Sequence, residues 1–314
     1  MPEKTLKEKT AKGLMWGTIS NGAQLVLGTL FGIFLARILS PSDYGMVGLL
    51  TVFSQIASVL QDSGFRTALA NRREIVHEDY NAVFWFNVGT SCVMYLLLFF
   101  LAPLITEFYQ HSDAAANQDL SELTPLARFS FLGFVIASLG TAHYAYLFRT
   151  LQVKQKAIIT VISLTTSSTI GLTMALKGYA YWGLATQGIA FTTCNTILFW
   201  YFSKWRPTLP VSFHPLKEMF GFSSKLLAND ICNNINGNIL SVMLGRFYAV
   251  HDVGLYNQAN KWTSMVSTMV LGTIKDVAQP VLRNVETERE RHKRVFRKML
   301  RFNAFMVFPA LFGS

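Results

Sequence analysis

The chain has 314 residues, of which 51% are hydrophobic and only 15% charged, and its mean hydropathy is +0.31, so it lacks the polar surface to clothe a water-facing particle of its size. A soluble fold, a disordered chain, a collagen and a disulfide-stapled scaffold are excluded together: Cys92, Cys194 and Cys232 are odd in number, lie within apolar stretches and are expected as free thiols. The net charge of +10 raises nucleic acid as a partner, a question that the placement of the charges answers below.

A bilayer core about 30 Å thick takes roughly 20 apolar residues as a helix. Uncharged runs of that order extend from Gly13 to Ala36, Tyr44 to Gln61, Tyr80 to Thr106, Phe129 to Phe148, Ala157 to Leu176 and Gly178 to Ser203. Two further runs are interrupted by charge: Gly221 to Gly245 holds Lys225 and Asp230, and Val253 to Ile274 holds Lys261. Both are read as spans. An apolar stretch from Asn303 stops at Ser314, too short to cross, so the sequence predicts eight full spans and the start of a ninth, in a chain expected to be a fragment.

The basic residues fix an orientation. With the amino terminus in the cytoplasm, all of the 28 Lys and Arg fall on the cytoplasmic side except Arg37, Arg128, Lys177, Arg246 and the intramembrane Lys261. The positive charge is therefore topological, and nucleic acid is not expected as a partner. Trp16, Trp85, Trp182, Trp200 and Trp205 lie near span ends, as interfacial anchors do. The first apolar run is too long for a signal-peptide core and is read as a retained helix.

A shift of 209 positions lays Gly28, Leu35, Arg37, Asp43 and Gly45 on Gly237, Leu244, Arg246, Asp252 and Gly254. The matches fall at the end of span one with its turn and the end of span seven with its turn. Asn21 and Gln24 fall on Asp230 and Asn233 under the same shift. Six spans separate the copies, so both point the same way through the membrane, related by an axis along its normal. This divides the chain into an amino-terminal six-helix lobe (1–203), a cytoplasmic linker (204–218) that Pro207, Pro210 and Pro215 keep extended, and the first part of a second lobe (219–314).

The segment Leu35-Ala36-Arg37-Ile38-Leu39-Ser40-Pro41-Ser42-Asp43-Tyr44-Gly45, preceded by Lys12-Gly13-Leu14-Met15-Trp16, resembles the first helix and turn of Wzx-type polysaccharide and lipopolysaccharide biosynthesis flippases of the multidrug/oligosaccharidyl-lipid/polysaccharide (MOP) exporter superfamily. Asp62-Ser63-Gly64-Phe65-Arg66-Thr67-Ala68-Leu69, Gly245-Arg246-Phe247 and Gly254-Leu255-Tyr256-Asn257-Gln258-Ala259 are similar to further pieces of the pattern. The resemblance implies an all-α, MATE-like bundle of two lobes around a central cavity in the bacterial cytoplasmic (inner) membrane. It also implies translocation of polyprenyl-diphosphate-linked oligosaccharide from the cytoplasmic to the periplasmic leaflet by alternating access. The implied partners are that glycan, the lipid bilayer and glycan-assembly enzymes; no cofactor or metal is implied.

Carrying a diphosphate and a hydrated sugar across hydrocarbon takes cations and hydrogen-bonding groups that face inward. On a helix, Asn229, Asp230, Asn233, Asn234, Asn236 and Gly237 share an arc of about 160° in span seven, with Asp230 near the bilayer midplane. The arc reads either as a sugar-binding or ion-coupling face or as a helix interface joined by Asn side chains. Asn21 and Gln24 share one face of span one. Lys225, about one turn inside the cytoplasmic end, and Lys261, about two turns from the outer end, are each either a diphosphate ligand or a snorkelling lysine. Arg37 with Asp43, and Arg246 with Asp252, read as charge pairs that close a corner beside Gly45 and Gly254, or as an outer gate. Gly13 with Gly17, and Gly28 with Gly32, are spaced for close helix approach, and His143 reads as a satisfied interfacial group. The run Arg289 to Arg301 is dense enough to hold anionic headgroups.

Enzymatic chemistry finds no motif: HExxH, paired cysteines at zinc spacing, a P-loop and a dinucleotide fingerprint are all missing from the sequence. The alternatives that remain are a drug or cation antiporter of the same fold and a membrane-embedded glycan polymerase, against which the short acidic loop from Pro103 to Arg128 counts.

Overall fold

The structure, a computed structural model, describes residues 6–62, 65, 69, 75–110, 120–150, 152–209, 211–264, 297 and 301. These residues contain helices and no strand. Seven long helices follow one another: α1 (Leu6–Ile38), α2 (Pro41–Asp62), α3 (His77–Gln110), α4 (Leu123–Arg149), α5 (Val153–Leu176), α6 (Ala180–Phe202) and α7 (His214–Phe247). Helix resumes at 250 and is described to 264. The chain forms two compact units, Met1–Leu255 and Tyr256–Ser314.

Five helices, α1 to α5, are long and apolar enough to cross a bilayer. The segments expected as the sixth and seventh spans form the helices α6 and α7, but Gln187 and Asn195 in α6 and the asparagines of α7 keep both below that hydropathy. The expected eighth span is described as far as 264. The ninth, the basic run from Arg289 save for Arg297 and Arg301, and most of the loop after Asp62 lie outside the described residues.

Two turns show how the sequence joins its helices. At the start of α2, Ser40 N and Oγ both donate to Asp43 Oδ2 at 2.8 Å, and Asp43 N donates back to Ser40 Oγ at 3.3 Å, a reciprocal cap of the α2 amino terminus. At the end of α5, Gly178 takes φ +84°, which lets Tyr179 N reach Met174 O (3.1 Å) and Gly178 N reach Ala175 O (3.0 Å), satisfying carbonyls the helix leaves open.

Packing runs α1 on α5, α5 on α6, α6 on α4 and α4 on α3, while α7 lies against α2 and α3. Small residues permit close approaches: a Cβ on Gly183 of α6 would lie 3.2 Å from Gly171 O of α5, and one on Gly140 of α4 3.2 Å from Thr196 Oγ1 of α6. A Cβ on Gly17 would meet nothing within 4 Å. One core cluster joins Leu49, Leu50, Tyr109, Leu126, Phe131 and Val250; a second joins Tyr80, Phe84, Ala142, Trp205 and Met219.

Three sequence expectations change. The segment from Pro103 to Arg128 is not one loop: α3 continues through Pro103 to Gln110, and α4 begins at Leu123. Pro103 cannot donate to Phe99 O four residues back, and Arg128 Nε supplies that carbonyl at 3.3 Å while its guanidinium lies 4.2 Å over the Phe99 ring. The linker is also shorter than expected, because Pro215 sits in the first turn of α7, where its missing N–H is not needed. Finally, Trp205 is buried against Tyr80, Phe84 and His143, a packing role in place of the exposed anchor expected, and His143 stacks on Trp200 at 4.4 Å.

Between them, residues 203–209 are stitched to the start of α3. Asn81 Nδ2 donates to Thr208 O (2.8 Å), Thr208 N donates to Asn81 Oδ1 (3.0 Å), His77 Nε2 lies 2.8 Å from Thr208 Oγ1, and Trp85 Nε1 donates to Thr208 O (3.3 Å).

Candidate functional site: the polar face of α7 and its seam with α2

Helix α7 runs antiparallel to α2, and three contacts descend the seam from the turn end. At the top, a Cβ on Gly45 would fall on the Val250 carbonyl. One level down, a Cβ on Gly245 would lie 2.7 Å from the Tyr109 ring, beside Leu49. Further in, Asn238 Nδ2 donates to Gln55 Oε1 at 2.6 Å. Ten residues separate Gln55 from Gly45, a rise of about 15 Å, or half of a hydrocarbon core.

Below that bond α7 turns polar. Asn238 Nδ2 also donates to Asn234 O (2.8 Å), Asn234 Nδ2 donates to Asp230 O (2.8 Å), and Asn229 Nδ2 lies 3.4 Å from Asp230 Oδ1. Asn234 and Asn238 are half-buried, whereas Lys225, Asn229, Asp230, Asn233, Asn236 and Gly237 are exposed. Among the described residues no cation pairs with Asp230. The arc thus offers a ladder of amide donors and acceptors, one exposed carboxylate and a lysine at one end. Amides of this kind match hydroxyl and amide groups of a ligand, and a lone ammonium matches phosphate as a point charge.

Other predicted residues lie elsewhere. Asn21 is exposed on α1; Gln24, half-buried, donates to Ser20 Oγ (3.1 Å) and Ser20 O (3.2 Å) within its own helix. Since α1 packs on α5, the structure forms no hydrogen bond between this pair and the α7 face among the described residues. Lys261 is exposed in the second compact unit.

The expected charge pairs do not form. Asp43 is engaged by Ser40, and Arg37 is exposed. Arg246 reaches across to the end of α3, where it donates to Phe108 O (3.1 Å) and lies 5.3 Å over the Phe108 ring, capping a carbonyl left open by the last turn. Asp252 instead neighbours His251 at 3.6 Å. Asp43 thus takes a partner within its own turn and Arg246 a backbone carbonyl, bonds that fix a side chain better than a pair of long exposed charges would. Among the described residues no cluster of three metal-ligating side chains occurs. Gln55 and Asn238 were not legible as a pair, although Gln55 stands out as an amide deep within an uncharged span.

The polysaccharide biosynthesis protein family matches over residues 34–314. Curated relatives include the lipopolysaccharide biosynthesis protein WzxC of Escherichia coli K12 (29% identical over 98% of this chain and 61% of its own) and the succinoglycan biosynthesis transport protein ExoT of Rhizobium meliloti (25%, 98% and 61%). The teichuronic acid biosynthesis protein TuaB of Bacillus subtilis is 23% identical over 98% of this chain and 62% of its own. The chain thus spans about three fifths of the length of these relatives. Among solved structures, an inward-facing multidrug resistance MATE family transporter of the MOP superfamily superposes with a TM-score of 0.65 at 17% identity, over 91% of this chain and 68% of that one, which shows the fold. The chain belongs to the polysaccharide biosynthesis protein family, as a multi-pass membrane protein with a MATE-like fold.

Proposed function

We propose that this chain is part of a flippase that moves polyprenyl-diphosphate-linked oligosaccharide from the cytoplasmic to the periplasmic leaflet for cell-surface polysaccharide synthesis. Two parallel lobes, 1–203 and the portion from 219 onward, alternate access to a cavity between them, with the amino terminus in the cytoplasm. The observation that carries this reading is the α7 face, where Asn229, Asp230, Asn233 and Asn236 are exposed on one arc of a membrane protein's helix. A charged group at that depth is costly in hydrocarbon, so the arc belongs to a wet cavity. Lys225 at the cytoplasmic end meets the diphosphate, and the Asn arc meets the sugar. The names of the relatives, which concern lipopolysaccharide, succinoglycan and teichuronic acid, agree with a glycan substrate.

The test is the leaflet location of lipid-linked glycan in cells lacking the full-length gene, read with a membrane-impermeant glycan-binding probe. Single repeat units held on the inner leaflet, released by restoring the full-length gene, are the expected result. Units that reach the outer leaflet unpolymerised would point to a polymerase. An unchanged glycan would favour a drug or cation antiporter.

A further inference from the structure

The Gln55–Asn238 hydrogen bond occupies a particular place. Toward the turn end, the α2–α7 seam is dry and tight: Gly45, Leu49, Tyr109, Gly245 and Val250 leave no room for an added methyl group at either glycine. Toward the other end, α7 carries the exposed arc of Asn233, Asp230 and Asn229. Both partners are half-buried, and Asn238 connects through Asn234 to the Asp230 carbonyl. The bond therefore lies where the exposed polar arc meets the innermost rung of the seam.

We infer that Gln55 and Asn238 form a ligand-sensitive latch: their mutual bond holds the turn ends of α2 and α7 together, and a hydroxyl-rich ligand seated on the polar arc of α7 competes for the same amides and releases the seam. The proposal rests on the transport reading above and deepens it. The chemistry is matched on both sides. Asn238 Nδ2 already spends one hydrogen on Asn234 O, so its second has a choice between Gln55 Oε1 and a ligand oxygen. A sugar hydroxyl both donates and accepts, so it can satisfy Gln55 and Asn238 at once, whereas an apolar ligand would leave both amides unpaired. Gln55 and Asn238 act here as positioning residues whose exchange of partners links occupancy to opening.

The test uses the full-length protein, freed of its other cysteines and spin-labelled at Ser42→Cys and His251→Cys, two exposed positions on the facing turns. Distance distributions give the fraction of molecules with separated turns. Without ligand, Gln55→Leu or Asn238→Leu raises that fraction about threefold to fifteenfold, the range that one interhelical hydrogen bond spans in a membrane, and the swap Gln55→Asn with Asn238→Gln restores it. Lipid-linked glycan extracted from cells lacking the gene raises the wild-type fraction to the level the Leu variants already show and moves the variants no further. Leu variants with the wild-type fraction, or an extract that shifts wild type and variants by the same factor, would overturn the latch. An extract without effect on wild type, with open variants, keeps the latch and retires the glycan as its ligand. Transport that proceeds while the Leu variants stay closed does the reverse.

Discussion

Gly45 and Gly254, one repeat length apart in sequence, face each other across the tightest crossing in the structure. A Cβ on Gly254 would fall on the Pro41 carbonyl and lie 3.0 Å from Gly45 N, and a Cβ on Gly45 would fall on the Val250 carbonyl. Pro41 and Val250 are themselves related by the same shift of 209. The contact is thus reciprocal, as in a two-fold interface where residue i meets j and the partner of j meets the partner of i. Because backbone atoms stand in the way, neither glycine has a side chain to displace. Gly45→Ala and Gly254→Ala should each cost about 1–3 kcal/mol through overpacking, visible as a lower unfolding midpoint in detergent, while Gly17→Ala, which meets open space, should leave it unchanged.

The stitch between residues 203–209 and α3 gives a second expectation. Asn81 serves both backbone groups of Thr208, so Asn81→Leu leaves a carbonyl with only the longer Trp85 bond and an N–H with none. The cost of such orphaned groups is about 1–3 kcal/mol. Amides from Ser203 to Leu209 should exchange hydrogen faster in this variant, while those of α5 should not change. Equal exchange in both would mean that the burial of Trp205 alone holds the segment.

These two cases show what sequence does and does not carry. Uncharged runs announced α1 to α6, because a bilayer selects on length and apolarity, both local properties. The glycine turn was legible for the same reason that it repeats: only glycine fits that crossing. The Asn81–Thr208 and Gln55–Asn238 pairs join residues more than a hundred positions apart, and no spacing rule links them. Charge pairing misled at Arg246 and Asp43, since opposite signs in one turn looked sufficient while the helix ends beside them offered carbonyls and a serine. Pro103 misled as a helix end for lack of any local sign that Arg128 would supply its missing donor.

That substitution of donors predicts a coupling. In the wild type, Arg128→Leu leaves Phe99 O without the guanidinium and should destabilise by about 1–3 kcal/mol. With Pro103→Ala in place, the helix regains its own donor for the same carbonyl, and Arg128→Leu should then cost less by about 0.5 kcal/mol or more, the coupling expected of groups sharing one partner. Unfolding of the two single variants and the double variant measures it. Strict additivity would mean that Arg128 contributes only through its stacking on Phe99.

Asp230 separates a working face from an adhesive one. Its backbone carbonyl accepts from Asn234, but its carboxylate is exposed and, among the described residues, has only the long contact with Asn229. Asp230→Asn keeps size and hydrogen-bonding capacity and removes one negative charge. If the face were a helix interface, the change would relieve an unpaired buried charge and raise stability. If the face lines a wet cavity, stability should stay within about 0.5 kcal/mol, as for other exposed substitutions. If a cation gradient drives the proposed transport, Asp230→Asn should then abolish that dependence, because the only carboxylate of the arc is gone. Measuring unfolding and gradient-dependent glycan translocation on the same full-length variant decides between them: unchanged stability with lost coupling places Asp230 in the path, and unchanged stability with unchanged coupling removes it from the mechanism.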